Sequence, residues 1–141
     1  MGPSDIISGM MLVHQYLSTC VNTPTQYAAL AALEGPQDFV YSMVREFDRR
    51  RRLVCRKINE IEGLSCVVPK GAFYVFPNIK ALGMPSEKFA RFLLEKAKVV
   101  VVPGSGFGEH GEGYIRISYA TSYENLEEAM NRIEKALKSL K

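Results

Sequence analysis

Cysteine is scarce in this 141-residue chain, and the three present, Cys20, Cys55 and Cys66, are odd in number and far apart. Without a C-x-x-C pair or a companion pair of histidines they suggest neither a disulfide framework nor a zinc site, and free thiols fit a reducing cytoplasm. Long apolar runs are missing as well. No stretch reaches the roughly 18 residues that a membrane span needs, and no charged start leads into a signal-type core, so the expectation is a soluble intracellular protein without a membrane partner. There is no large excess of charge of one sign either. The 18 Lys and Arg against 15 Asp and Glu leave +3, too little to imply nucleic acid by itself. His14 has no second ligand candidate four residues on and reads as an ordinary helix histidine. No internal repeat or low-complexity linker interrupts the chain.

What is present is enough apolar residue, 47%, for one real core, and a central stretch around which the rest is organised, VVVVPGSGFGEHGEGYIRISYA from Val99 to Ala120. The four valines read as a strand buried on both faces, ended by Pro103. The glycines that follow match G-x-G-x-x-G at Gly106, Gly108 and Gly111, but the loop runs into a strand. A dinucleotide fingerprint must open a helix, so that assignment is rejected, and no G-K-[ST] supports an NTPase phosphate loop. In the next strand Tyr114, Arg116, Ser118 and Ala120 share one face, while Ile115, Ile117 and Tyr119 share the other. Arg116 is the anomaly. A guanidinium between two isoleucines keeps its charge, and buried without a partner it costs about 3 to 5 kcal/mol. It therefore needs an anion or water: a carboxylate of Glu109, Glu112 or a helix, an open sheet face, or a ligand carboxylate or phosphate.

The remaining pattern is mostly helical. Ser4 caps a first helix carrying Ile6, Met10, Val13 and Leu17; Thr23, Pro24 and Gln26 open a second, TQYAALAALEG. A long helix is expected from Asp38 to about Glu62, with Gly63 as its stop. Its opposite side bears Arg45, Arg49, Arg52 and Arg56. That stripe allows a nucleic-acid module, but the preferred reading is a solvated face paired with Glu46, Asp48 and Glu60. Leu64 to Val68 and Ala72 to Phe76 read as strands joined by Pro69-Lys70-Gly71, with Phe73 and Tyr74 on opposite faces. Ser86 opens a helix through Lys98, and Thr121 with Glu124 opens a closing helix striped by Leu126, Met130, Ile133, Leu137 and Leu140. This order predicts an α+β two-layer unit: a small, mostly antiparallel sheet of about four strands with helices on one face, preceded by two N-terminal helices and one long linking helix. The other sheet face is left uncovered, and the first two helices have no obvious partner in so small a sheet.

Gly2-Pro3, TPTQYAALAAL, the Lys70-Gly71-Ala72-Phe73-Tyr74 turn and strand, VVPGSGFGEHGEGYIRISYA and the closing helix together resemble the C-terminal part of the class I/II pyridoxal-phosphate aminotransferases, fold type I and aspartate-aminotransferase-like. The resemblance covers essentially the whole of this chain and well under half of a family member. It implies that residues 1–36 are the tail of the large cofactor domain and that 37–141 are the small domain. It also implies that Arg116 holds the substrate α-carboxylate by a two-pronged contact, that Phe73 lines the substrate pocket, and that Gly71 serves the turn placing it. Amino-acid and 2-oxo-acid substrates, pyridoxal phosphate in the full enzyme, and a homodimer follow from the same likeness. In the family, the Schiff-base lysine and the groups that hold the cofactor precede the segment resembled here. The isolated chain is therefore expected to be a fragment that neither holds the cofactor tightly nor catalyses. A non-catalytic amino-acid-binding domain that uses Arg116 on a free carboxylate stands as the alternative.

Overall fold

The computed structural model describes residues 2–140, in two compact units that meet in sequence between Phe39 and Val40. The first unit contains α1 (Ser4–Leu17) and α2 (Thr23–Glu34). α1 follows Pro3 without a side-chain cap. α2 is capped by Asn22, one residue earlier than the sequence suggests, because Thr23 is already helical and the Asn22 carboxamide oxygen accepts from Thr25 N–H at 3.0 Å. Every residue of both helices is exposed, including Met10, Leu17 and Leu33, the last two about 80% accessible.

α3 (Asp38–Glu60) belongs to the second unit from Val40 on and ends where the chain turns at Gly63, whose φ of +87° a side chain would strain. Its apolar side supplies Leu53, Val54 and Ile58 to the core, each contributing roughly 1.5 to 3 kcal/mol on burial. Three of the four arginines of its basic stripe are ion-paired as expected, Arg49 with Glu46 at 3.5 Å, Arg52 with Asp48 at 2.7 Å and Arg56 with Glu60 at 3.9 Å, whereas Arg45 has no ion pair among the described residues. Arg49 also lies over the Tyr123 ring at 3.9 Å, an aromatic that the stripe itself does not contain.

The sheet has three strands rather than about four: β1 (Tyr74–Val75), β2 (Val102–Pro103) and β3 (Ile115–Ser118), in the order β1-β3-β2 and antiparallel throughout. Leu64 to Val68 forms no strand. Asn59 of α3 takes both backbone groups of Cys66, its Oδ1 accepting from N–H at 2.8 Å and its Nδ2 donating to C=O at 3.1 Å, so only the Ser65–Asn78 bridge remains for pairing. The valine run is also shorter as a strand than expected. Lys98 adopts a left-handed φ of +57° and Val99 N–H returns to Leu93 O, so residues 99 to 101 serve the helix exit and Val100 is 79% exposed.

α3, α4 (Ser86–Phe92, continued by a π-helical turn, Leu93–Ala97) and α5 (Tyr123–Lys138) share one core with the inward face of the sheet: Val75, Ile115, Ile117 and Tyr119 meet Phe89, Leu93, Leu126, Met130 and Ile133. α5 is capped by Ser122, whose Oγ accepts from Asn125 N–H, rather than by Thr121. Tyr119 is 1% exposed, and its hydroxyl donates to Ala72 O at 2.8 Å, pinning the turn before β1, where Ala72 rather than Gly71 takes the left-handed conformation (φ +61°). Tyr119→Phe leaves that carbonyl short of a donor, and denaturant titration is expected to show a loss of about 1 to 3 kcal/mol with the fold intact.

Candidate functional site

The uncovered face of the sheet is where alternation sends Arg116. β3 is buried at Ile115 and Ile117, half-buried at Arg116 and exposed at Ser118, so the outward row is the one the strand pattern defines. Register sets Arg116 opposite Val102 and Ser118 opposite Tyr74. The guanidinium lies over two rings, 4.4 Å from the centroid of Tyr74 and 4.8 Å from that of Phe107. The rings hold the cation by their negative faces and leave its N–H groups to a partner in the ring plane or in solvent. Phe107 is continued by Phe76, edge-on at 5.8 Å, and Phe76 stacks on Tyr114 at 5.2 Å, so the arginine sits at one end of an aromatic row.

None of the described carboxylates neutralises Arg116. Glu109 faces His110 at 3.5 Å. Glu112 is committed to α4: Oε1 accepts from Ser86 N–H and Oε2 from Ser86 Oγ–H, both at 2.8 Å. Among the described residues Arg116 has no ion pair. Those Ser86 bonds, the backbone one first, hold the Glu112 carboxyl below its ordinary 4.5. A carboxylate with lowered proton affinity in the fold stabilises it above the unfolded value, and that contribution fades as pH falls through the lowered one. Unfolding midpoints compared between about pH 5 and pH 3 should therefore fall more steeply for the natural chain than for Glu112→Gln.

Phe73 does not meet Arg116 directly. Its ring lies 4.4 Å from that of Tyr74 and 6.1 Å from that of Phe47 on α3, in a shallow recess of about 250 Å³ shared with Arg51 and Lys70. The Tyr74 ring is thus the link between the two sequence-predicted residues. Tyr74 and Phe107 are the members of the site that sequence reasoning missed. Tyr74 was legible in principle, being an aromatic on a strand beside an arginine strand, whereas Phe107 lies in the glycine loop, which carries no periodicity.

The described lysines do not fit a pyridoxal phosphate site. Schiff-base chemistry uses an enclosed lysine, and among the described residues every lysine is exposed except Lys57, which is half-buried and donates to Asn131 Oδ1 at 3.4 Å. No cluster of His, Cys, Asp or Glu among the described residues is arranged to hold a metal ion.

The sheet face thus carries, beside a glycine loop, an arginine with no ion pair among the described residues. The family model for aminotransferase class I and II matches residues 1–133, and the chain belongs to that family. It is 52% identical to aromatic-amino-acid aminotransferase 2 of Thermococcus litoralis and 53% identical to an aspartate aminotransferase of Pyrococcus abyssi, in each case over 99% of this chain and 36% of the relative. The crystal structure of an aromatic aminotransferase from Pyrococcus horikoshii superposes with a TM-score of 0.84 at 52% identity, over 99% of this chain and 38% of that one. The chain thus spans about a third of the length of the relatives it matches.

Proposed function

We propose that this chain is the small domain, residues 37–141, and the tail of the large domain, residues 1–36, of an aminotransferase that moves an amino group between an amino acid and a 2-oxo acid. Arg116 binds the α-carboxylate of both. The observation that carries this reading is a guanidinium fixed between Tyr74 and Phe107 with no carboxylate of the described chain upon it. A fork of that kind orients a carboxylate as well as binding it, through two parallel charge-assisted hydrogen bonds. Phe73 lines the approach to the substrate through its contact with Tyr74.

Pyridoxal phosphate supplies the electron sink for the chemistry when the whole enzyme holds it. The resemblance implies that the lysine and phosphate ligands precede the segment matched here, and with about a third of its relatives' length spanned the chain alone is proposed to be inactive. The exposed apolar side chains of α1 and α2 support further covering, and a homodimer is the assembly proposed. Free thiols at all three cysteines support a cytoplasmic setting, and among the described residues no helix is long and apolar enough to cross a membrane.

The test is an assay of the longer protein containing this chain, supplied with pyridoxal phosphate, an amino acid and a 2-oxo acid. Formation of the new amino acid and the new 2-oxo acid in equal amounts supports the proposal. Binding of amino acids without exchange of the amino group would favour the non-catalytic alternative and overturn it.

A further inference from the structure

Cys55 and Cys66 take no part in the carboxylate face. Cys55 is on the core side of α3, 2% exposed, and Cys66 is half-buried in the segment between α3 and β1. Asn59, one turn beyond Cys55, draws the two stretches together: its Nδ2 donates to Cys55 O at 2.9 Å and to Cys66 O at 3.1 Å, while its Oδ1 accepts from Cys66 N–H. Arg51 adds another tie by donating to Pro69 O at 3.0 Å. The Cys66 thiol lies 3.2 Å from Val67 O and within hydrogen-bonding reach of the Cys55 sulfur. Two thiols from separate stretches, their backbones held to one asparagine side chain and the Cys66 residue half-buried rather than fully enclosed, lie side by side as a disulfide pair first requires.

We propose that Cys55 and Cys66 form an oxidisable pair, whose reversible disulfide fastens the segment leading to β1 onto the long helix. The co-reactant is a low-molecular-weight disulfide. The thiolate of Cys66, the more accessible of the two, attacks one sulfur of that disulfide, whose S–S bond breaks and releases one thiolate. Cys55 then yields its proton to solvent and attacks the Cys66 sulfur, forming the internal S–S bond and expelling the second thiolate. The pair loses two electrons and two protons, and the co-reactant is reduced to two thiols.

Burial first, and Cys55 beside it second, push the Cys66 thiol up to about 11, so the exchange is slow at neutral pH and quickens with alkalinity. The charged and titratable groups that face the pair are Arg51, one turn before Cys55, and Tyr119. Arg51 is a cation that favours the Cys55 thiolate, and burial pushes the Tyr119 hydroxyl up so that it stays protonated in mild alkali.

The experiment uses the full chain with the exposed Cys20 replaced, Cys20→Ser, treated with oxidised glutathione at about pH 9, then unfolded and alkylated. The expected product is a monomer lighter by about 2 Da, with no thiol left to alkylate and a peptide map joining Cys55 to Cys66. Closing a loop of about 12 residues should raise the melting temperature by on the order of 10 °C, reversed by dithiothreitol. Adding Cys55→Ser should instead trap a lasting glutathione adduct on Cys66. Two alkylated thiols, a lasting adduct with Cys55 intact, a disulfide-linked dimer, or a cross-link that fails to raise the melting temperature each overturn the proposal. Because none of these readouts is enzymatic, failure here is distinguishable from failure of the aminotransferase reading.

Discussion

Replacing Arg116 by alanine in the full-length enzyme is expected to lower kcat/KM for an amino acid by about 100-fold, with most of the loss in KM. Two charge-assisted hydrogen bonds to a carboxylate together supply roughly 1.5 to 3 kcal/mol, and the orientation they impose adds to the loss in kcat. Arg116→Lys keeps the charge but not the fork and should fall between the two. Folding stability is the contrasting quantity. Arg116 has no ion pair among the described residues and rests on two rings, so its removal should cost only about 1 kcal/mol in a denaturant titration. The decisive comparison is between an amino acid and the corresponding amine without its carboxylate. The natural enzyme should prefer the acid strongly, and the alanine variant should lose most of that preference. A variant that keeps it would show that the carboxylate is held elsewhere, and the role given to Arg116 would be wrong.

How far the sequence makes this site legible depends on which physical rule governs each residue. Period-two alternation fixes the face of Arg116 because its neighbours Ile115 and Ile117 have to be buried, and they are. Helical spacing likewise locates α3 and α5 and their core residues, since a striped helix has only one way to face a core. The errors lie where a side chain outbids the backbone ladder. Asn59 removes Cys66 from strand pairing, and Lys98 with Val99 spends three valines on leaving a helix; neither is visible in β propensity. Side-chain neighbours brought together by the tertiary fold are illegible for the same reason. Phe107 reaches Arg116 from a loop, Tyr123 reaches Arg49 from another helix, and Cys55 meets Cys66 across a turn, whereas spacing alone suggests no disulfide framework. The reading that Arg116 lacks an internal partner needed the structure as well, because only there is Glu112 seen to be occupied by Ser86.

Gly104→Ala is expected to be strongly destabilising, with Gly111 facing the same backbone contact from the other side. The glycine loop looks uniformly permissive in sequence, but its glycines do different things. At Gly104 an added Cβ would collide with the carbonyl oxygen of Gly111 and stand 2.6 Å from that of Tyr114, and both obstacles are backbone. Gly104 N–H also donates to Tyr114 O at 2.8 Å, so the loop cannot swing aside without giving up the bond that joins it to the arginine strand. Overpacking against yielding side chains costs about 1 to 3 kcal/mol, and against fixed backbone the loss should reach about 3 kcal/mol or more, read as a large drop in the denaturation midpoint. Gly106 is the control within the same loop: no heavy atom lies within 4 Å of its added Cβ and its φ is not positive, so Gly106→Ala should change stability by less than about 1 kcal/mol. The functional consequence follows from Phe107, which lies between these glycines and Gly111 and covers the Arg116 guanidinium. Any Gly104→Ala protein that still folds must carry a displaced loop, and its KM for the amino acid should rise while Gly106→Ala leaves KM unchanged. Equal stability of the two variants would mean that the Gly104–Gly111 contact is not what shapes the loop, and the link drawn from the glycines to the carboxylate site would fail.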